Sequence, residues 1–330
     1  MPTGGSTRFS TASTLNDGRG RRMIRIGLVD LDTSHPRAFT KVLRTIPGVD
    51  VTALWDGHDV WPPGYDHRFA ADNGIPTVCA ALEDMPGRVD AAMIHGADWE
   101  KHCDRALVFM KEKIPVLIDK PVVGSVRDCD RLMNMKEKYG SLVFGGSSLR
   151  YAEEVTGLRM SAGPRTGIVA VAASGPGDFF SYGIHTTEML QGFAGTGIRS
   201  VKPVRGGGSP VLAAEYADGL VGILHLQMPS QEWSLCAYTG TGLRTAVVDT
   251  GKLYEPFLKE FIALLKGGTP GDTLEGPLEA VRVQIASRVA LETGGTISPG
   301  DLPPEAGFDG KAFAAEYAAA KRRASGAGRG

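Results

Sequence analysis

From Met23 onward, short apolar runs alternate with stretches whose apolar residues recur at helical spacing. MIRIGLVD (23–30) predicts a buried strand, HPRAFTKVLRTI (35–46) a helix, and VDVTALWD (49–56) a second strand. VDAAMIHG, the helical WEKHCDRALVFMKEK, PVLID, the helical SVRDCDRLMNMKEKYG and SLVFGG continue the alternation to residue 146. Continuous apolar strands separated by amphipathic helices predict βαβ units and a parallel, doubly wound, Rossmann-type sheet over 23–146.

The second half reads differently. TGIVAVAAS, SVKPVRG, PVLAAEYADGLVGILHLQM with its Asp218-Gly219 turn, WSLCAYTG and RTAVVDT are strand runs joined by turns. TTEMLQGF interrupts them as a helix, and helices near 253–266 and 276–293 follow. The expectation is an α+β domain over 147–320 with an open, largely antiparallel sheet. Residues 1–22 and 321–330 are rich in small and basic residues and read as solvated tails.

The composition limits the partners. A chain of 330 residues with net charge -1 and 42% hydrophobic residues fits about two globular domains. It lacks the basic excess that nucleic acid or an anionic membrane rewards. No apolar run approaches the ~18–20 residues of a membrane span, and the N-terminus has no apolar core segment of a secretory signal. The four cysteines are scattered without a CxxC pair, so neither a disulfide framework nor a zinc site is expected and a reducing cytoplasm is the default.

Candidate chemistry gathers at strand ends. The first strand runs into Asp30-Leu31-Asp32-Thr33-Ser34-His35-Pro36, where a Rossmann unit carries its GxGxxG turn, yet no glycine occurs between Gly27 and Gly48. Asp30 and Asp32 take the first two glycine positions, and His35 or Pro36 the third. Thr33, Ser34 and Pro36 suit a helix start, whose free N–H groups still offer an anion site. Asp56 ends the second strand, where a carboxylate accepts hydrogen bonds from an adenosine ribose; the same Asp could equally be a solvated loop residue. Lys120, in Ile118-Asp119-Lys120-Pro121, is pinned between a buried strand and a proline at the ligand-binding end of the sheet. His185 opens the second-domain helix in Ser181-Tyr182-Gly183-Ile184-His185-Thr186-Thr187-Glu188 and could move an alcohol proton. A capping or core role is the plainer reading of a lone histidine, and no third ligand makes a metal site of His185 and Glu188.

In this order, the motifs resemble the glucose–fructose oxidoreductase / inositol dehydrogenase / rhizopine-catabolism (Gfo/Idh/MocA) family over about residues 23–300. RIGLVD, GVDVTALWD, the segment through HGADWEKHCDRAL with His102, the Asp119-Lys120-Pro121 form of a Glu-Lys-Pro motif, and SSLRY followed by SYGIHTTEML carry the resemblance. It implies NAD bound by the first domain, with Leu31, Asp32, Thr33, Ser34, Asp56, His102, Asp119 and Lys120 at the cofactor. It implies a small polyhydroxylated substrate (a sugar, glycoside, nucleotide-sugar or cyclitol) met by Lys120, Arg150, Ser181, Tyr182 and His185. Lys120 would polarise the substrate oxygen, and His185 would be the acid–base residue. NAD rather than NADP is expected, because WDGHDVW offers no Arg or Lys to a 2′-phosphate. A homodimer or homotetramer through the open sheet is expected from the apolar second face of its strands.

The sequence departs from the family in its missing glycines and in Ser181, which replaces a carboxylate. Two other readings therefore stand beside the dehydrogenase. One is a non-redox, cofactor-degenerate member that binds a sugar-like ligand. The other is a haloacid-dehalogenase-type phosphatase using Asp30 and Asp32, which would need a Mg²⁺-binding acidic pair where SLVFGG ends in glycines.

Overall fold

The computed structural model describes residues 23–204, 208–269, 271 and 273–327; the expected 1–22 tail lies outside them. The first domain is a parallel sheet built from β1 (Ile24–Val29), β2 (Val49–Trp55), β3 (Thr77–Val78), β4 (Ala91–Ile94), β5 (Val116–Asp119) and β6 (Val143–Gly146), in the order β3-β2-β1-β4-β5-β6. Helices α1 (His35–Leu43), α2 (Tyr65–Asp72), α3 (His102–Lys111) and α4 (Val126–Tyr139) make the crossovers. The apolar runs become β1, β2, β4, β5 and β6 because helices cover both faces and leave no room for a polar stripe. Only the short α2–β3 pair adds elements that the hydrophobic pattern leaves unassigned.

The chain then forms α5 (Glu153–Ser161), β7 (Ile168–Pro176), α6 (Gly183–Ala194), β8 (Ile198–Pro203), β9 (Val211–Tyr216), β10 (Val221–Met228), β11 (Ser234–Thr239) and β12 (Gly242–Val247). The sheet order is β12-β11-β7-β10-β9-β8. Its ladders are antiparallel except for β7 against β10, which run parallel because β7 reaches β10 through α6 and two intervening strands. One face packs on α6 and on α8 (Glu275–Thr293). Gly222 is needed there, since a Cβ would lie 2.9 Å from a Leu190 methyl.

Two helices tie the domains together. Helix α7 (Tyr254–Leu265) leaves the second sheet and buries Phe257, Leu258, Phe261 and Ile262 against Phe39, Leu43 and Phe144 of the first domain. Helix α9 (Gly310–Ala327) continues through residues expected to begin a tail at 321. Its Ala314 and Ala318, with Phe313 and Tyr317, close on Val60, Trp61 and Ala97, in the loops after β2 and β4. An alanine-rich helix gives little hydrophobic periodicity, so its docking is a tertiary event.

Phe261 is fully buried where α7 meets Phe144, with ring centroids 5.6 Å apart. Phe261→Ala should cost about 3–5 kcal/mol, read as a lower midpoint in urea unfolding. A loss under 1 kcal/mol would show that α7 is not a structural part of the first domain.

Candidate active site

The loop that replaces the glycine turn is built from carboxylates facing inward. Asp30 adopts φ +60, the left-handed conformation that a glycine holds at no steric cost. Its Oδ1 accepts from Gly57 N (3.0 Å) and its Oδ2 from Arg105 Nε (3.3 Å). Asp32 Oδ2 accepts from Ala97 N at 2.7 Å, and the residue is wholly buried. Asp56 Oδ1 accepts from Leu31 N at 3.2 Å, which leaves Oδ2 buried without a hydrogen-bond partner. The roof over the loop is Trp61, whose Nε1 donates to Leu31 O at 3.0 Å. Burial, and then the charge of Asp30, push Asp32 up to about 8 and raise Asp56. At neutral pH the Asp32 carboxyl is therefore protonated and adds no negative charge to the loop.

This geometry removes the phosphatase reading. Asp30 and Asp32 are 2% and 0% exposed and turned into the protein, so neither reaches a phosphoryl group.

The outer part of the loop stays open. Thr33 is half-buried and Ser34 exposed, and their N–H groups donate to no acceptor among the described residues. The Ser34 side chain leaves the helix uncapped, while Thr33 Oγ1 takes the His35 N–H at 3.2 Å. These N–H groups suit an anion at the start of α1. A cavity of about 390 Å³ lies beside Asp56, between Trp55, His58, His67 and Cys79. Arg105, which lies over Trp55, is matched by Asp30 and Asp59. Asp56 Oδ2, which makes no hydrogen bond and lies 3.4 Å from His58 Nδ1, and the free N–H groups fit the ribose and pyrophosphate of a dinucleotide, with Asp56, Thr33 and Ser34 as the residues that would hold it.

The far end of the crevice is centred on Asp119. Its Oδ2 lies 2.5 Å from His35 Nδ1 and 3.2 Å from His95 Nδ1, and its Oδ1 accepts from Lys120 N at 2.7 Å. Burial alone would raise this carboxyl, but His35 and His95 hold it well below its ordinary value, so it is ionised. Burial lowers the fully buried His95, whose Nε2 has no partner. Lys120 Nζ crosses to the second domain, donating to Ser181 O at 3.1 Å and lying 5.3 Å from the centre of the Tyr182 ring. Burial lowers its ammonium too, against the pull of Asp119 and Asp178.

His185 faces this group from α6. Its Nδ1 lies 2.6 Å from Ser147 Oγ, and its ring stands edge-on to Trp233. Burial, then Lys120 and His35, hold it well below the ordinary histidine value. Lys120 and His185 thus approach the same Tyr182 ring, at 5.3 Å and 6.1 Å from its centre. Arg150 does not join them: its guanidinium is buried against Glu188 and Gln191 of α6. His102 is also occupied, with ring nitrogens 3.1 Å from Val122 O and 3.0 Å from Gly96 O. Ser181 contributes its carbonyl, while its N–H and hydroxyl go to Asp178. Sequence reasoning did not find His35, His95, Ser147, Asp178 or Tyr254 here. Asp178 stands seven residues before His185, outside the family spacing, and His35 occupies a glycine position.

Residues 25–147 match the Gfo/Idh/MocA model, described as an oxidoreductase family with an NAD-binding Rossmann fold. The N-terminal domain carries the NAD-binding Rossmann fold that this family model describes. NAD is the cofactor of that fold. Among curated proteins, none matches the chain by sequence. Solved structures share the architecture across both domains. Scyllo-inositol dehydrogenase of Lactobacillus casei, with NAD(H) and scyllo-inositol, is 14% identical at TM-score 0.73, covering 85% of this chain and 100% of its own. Myo-inositol dehydrogenase of the same organism, with NAD(H) and myo-inositol, is 14% identical at TM-score 0.71, covering 84% and 96%. GenD2 of gentamicin A biosynthesis, in complex with NAD, is 17% identical at TM-score 0.71, covering 89% and 99%. At these identities the likeness is one of fold.

The protonated Asp32 yields a pH prediction. Its folded value, about 8, lies above the unfolded 3.8. Its contribution is therefore complete below pH ~4 and lost as pH rises towards 8, by up to about 1.4 kcal/mol per unit. Asp32→Asn keeps an acceptor for Ala97 N and should raise the melting temperature at pH 8.5 while changing it little at pH 4.5. NADH affinity should be unchanged, because the carboxyl faces inward. Weaker NADH binding together with a lower melting temperature at pH 8.5 would count against this picture of the loop.

Proposed function

We propose that the protein is an NAD-dependent dehydrogenase acting on a secondary alcohol of a sugar, glycoside, nucleotide-sugar or cyclitol. The observation that supports this reading is that Lys120 and His185, from opposite domains, both lie against the Tyr182 ring beyond the end of β5. NAD, when bound, supplies the hydride acceptor. Lys120 Nζ holds and polarises the reacting oxygen, and the His185 ring hydrogen-bonds to the same oxygen from α6. Tyr182 walls the cleft beside them. The inositol-bound relatives support a polyhydroxylated substrate of this class. Asp56, and an Arg105 already matched by carboxylates, favour NAD over NADP.

A panel of inositols and hexoses assayed for NADH formation tests the reading. Lys120→Ala and His185→Ala should each lower kcat ~10²–10⁴-fold with a smaller change in substrate affinity. Near-normal rates in both would sink it. The cofactor preference is checked by NADH against NADPH fluorescence titration, with tighter NADH binding expected.

The second sheet supports a two-fold homodimer. Across β10, β7, β11 and β12, the residues Ile223, Ala172, Cys236, Tyr238, Leu243 and Val247 follow the pairing registers onto the face away from α6. Tyr238 is 53%, Leu243 52% and Val247 56% exposed, an apolar face of the kind that closes on a second copy. Light scattering at micromolar concentration should give at least twice the chain mass, and Leu243→Asp should reduce it. A monomeric wild-type mass would overturn the assembly.

A further inference from the structure

Of the imidazoles at the site, His35 and His185 are set by their hydrogen bonds in opposite tautomers. Ser147 is wholly buried, and its Oγ already accepts from Leu149 N at 3.1 Å. A buried hydroxyl needs an acceptor for its own hydrogen, and His185 Nδ1 at 2.6 Å is the one it meets. That bond leaves the His185 hydrogen on Nε2, so the free nitrogen of this ring is a donor. His35 is set the other way. Its Nδ1 donates to the Asp119 carboxylate at 2.5 Å, which leaves Nε2 as an acceptor with no partner among the described residues. The ring is fixed in position, stacked on Phe39 at 5.3 Å and edge-on to Tyr254 at 5.3 Å. Its side chain is 14% exposed, so it has a way out to solvent.

We propose that His35, aligned by Asp119, accepts the alcohol proton in the oxidation, while His185 serves as a hydrogen-bond donor to the reacting oxygen. The proposal rests on the dehydrogenase reading above. In the step, the O–H bond breaks and its proton goes to His35 Nε2. The electron pair left on oxygen forms the carbonyl, and the C–H electron pair leaves as hydride to the nicotinamide. His35 then returns the proton to solvent.

Every ionisable neighbour of His35 is consistent with this role. Asp119 on β5 is an ionised carboxylate that stabilises the imidazolium as it forms, as in an Asp–His dyad. His95, just after β4, is held neutral by burial and adds a second hydrogen bond to the same oxygen. Tyr254 on α7 is pushed up to about 12 by burial, then by Asp119 and Tyr182, and stays uncharged. His185 lies within electrostatic reach of both His35 and Lys120. By contrast, His185 has no carboxylate partner and lies beside Lys120, so a proton there would be held poorly.

Two measurements test the assignment, one of them independent of substrate. Diethyl pyrocarbonate attacks an unprotonated imidazole nitrogen, and peptide mass spectrometry locates the adduct. His35 should be modified at least tenfold faster than His185, and Asp119→Asn should move the pH midpoint of the His35 reaction downward. Equal rates for the two histidines, or no effect of Asp119→Asn, would overturn the proposal even if the dehydrogenase assay succeeds. In NADH formation with the inositol and hexose panel, His35→Gln should lose ~10²–10⁴-fold in kcat. Added imidazole should restore part of the rate to His35→Ala, which a merely structural role would not allow. His185→Asn, which keeps a donor, should retain more rate than His185→Ala. A His35→Gln enzyme with wild-type kcat refutes the role of His35. A wild-type protein that turns over no panel member, yet shows the labelling order, refutes the substrate class and leaves the dyad supported.

Discussion

The active-site end of this molecule depends on one buried carboxylate. Asp119 closes β5 at 3% exposure, and its two oxygens take up His35 from α1, His95 from the turn after β4 and the Lys120 backbone from the next turn. A buried ion tolerates desolvation only when its lone pairs are matched, and here three separate segments provide the matching. The same contacts fix the direction of the Lys120 side chain and the tautomer of His35. Removing the carboxylate would therefore disturb His35, His95 and the Lys120 turn together.

The altered phosphate loop follows the same electrostatic logic. A glycine turn binds pyrophosphate by letting the backbone approach; three carboxylates in its vicinity would seem to oppose an anion. The structure resolves this by turning Asp30 to Gly57 and Arg105, Asp32 to Ala97 N, and Asp56 to Leu31 N. Burial then keeps Asp32 protonated at neutral pH, and the N–H groups of Thr33 and Ser34 keep no acceptor among the described residues. The carboxylates work as internal caps that stiffen the loop. Helix α9 and Trp61 seal it from the other side, so the loop is held by tertiary contacts where a glycine turn relies on backbone freedom.

Much of this protein could be read from its residues. The apolar runs from β1 to β6 are short, continuous and separated by amphipathic segments, a pattern that fits strands covered on both faces. The strands of the second domain were equally legible from their turns, and Lys120 and His185 stood out because each is fixed by local neighbours: a proline after a buried strand, and a helix start. None of the other decisive features has a local signature. His35 sits where a glycine was expected and gains meaning only when β5 brings Asp119 to it, 84 residues away. Arg150 followed a motif, yet the packing of α6 gave it Glu188 as a partner and took it out of the cleft.

The sequence by itself determined the two sheets and singled out Lys120 and His185 as candidates, because hydrophobic period and strand-end position are properties of neighbours along the chain. The tertiary structure alone decided the parallel β7–β10 pairing, the inward turn of the aspartates, the docking of α9 and the opposite tautomers of His35 and His185. Each of these depends on which distant group supplies a hydrogen-bond partner or covers a surface. Direction and protonation are set by such partners in space, and residue order does not record them.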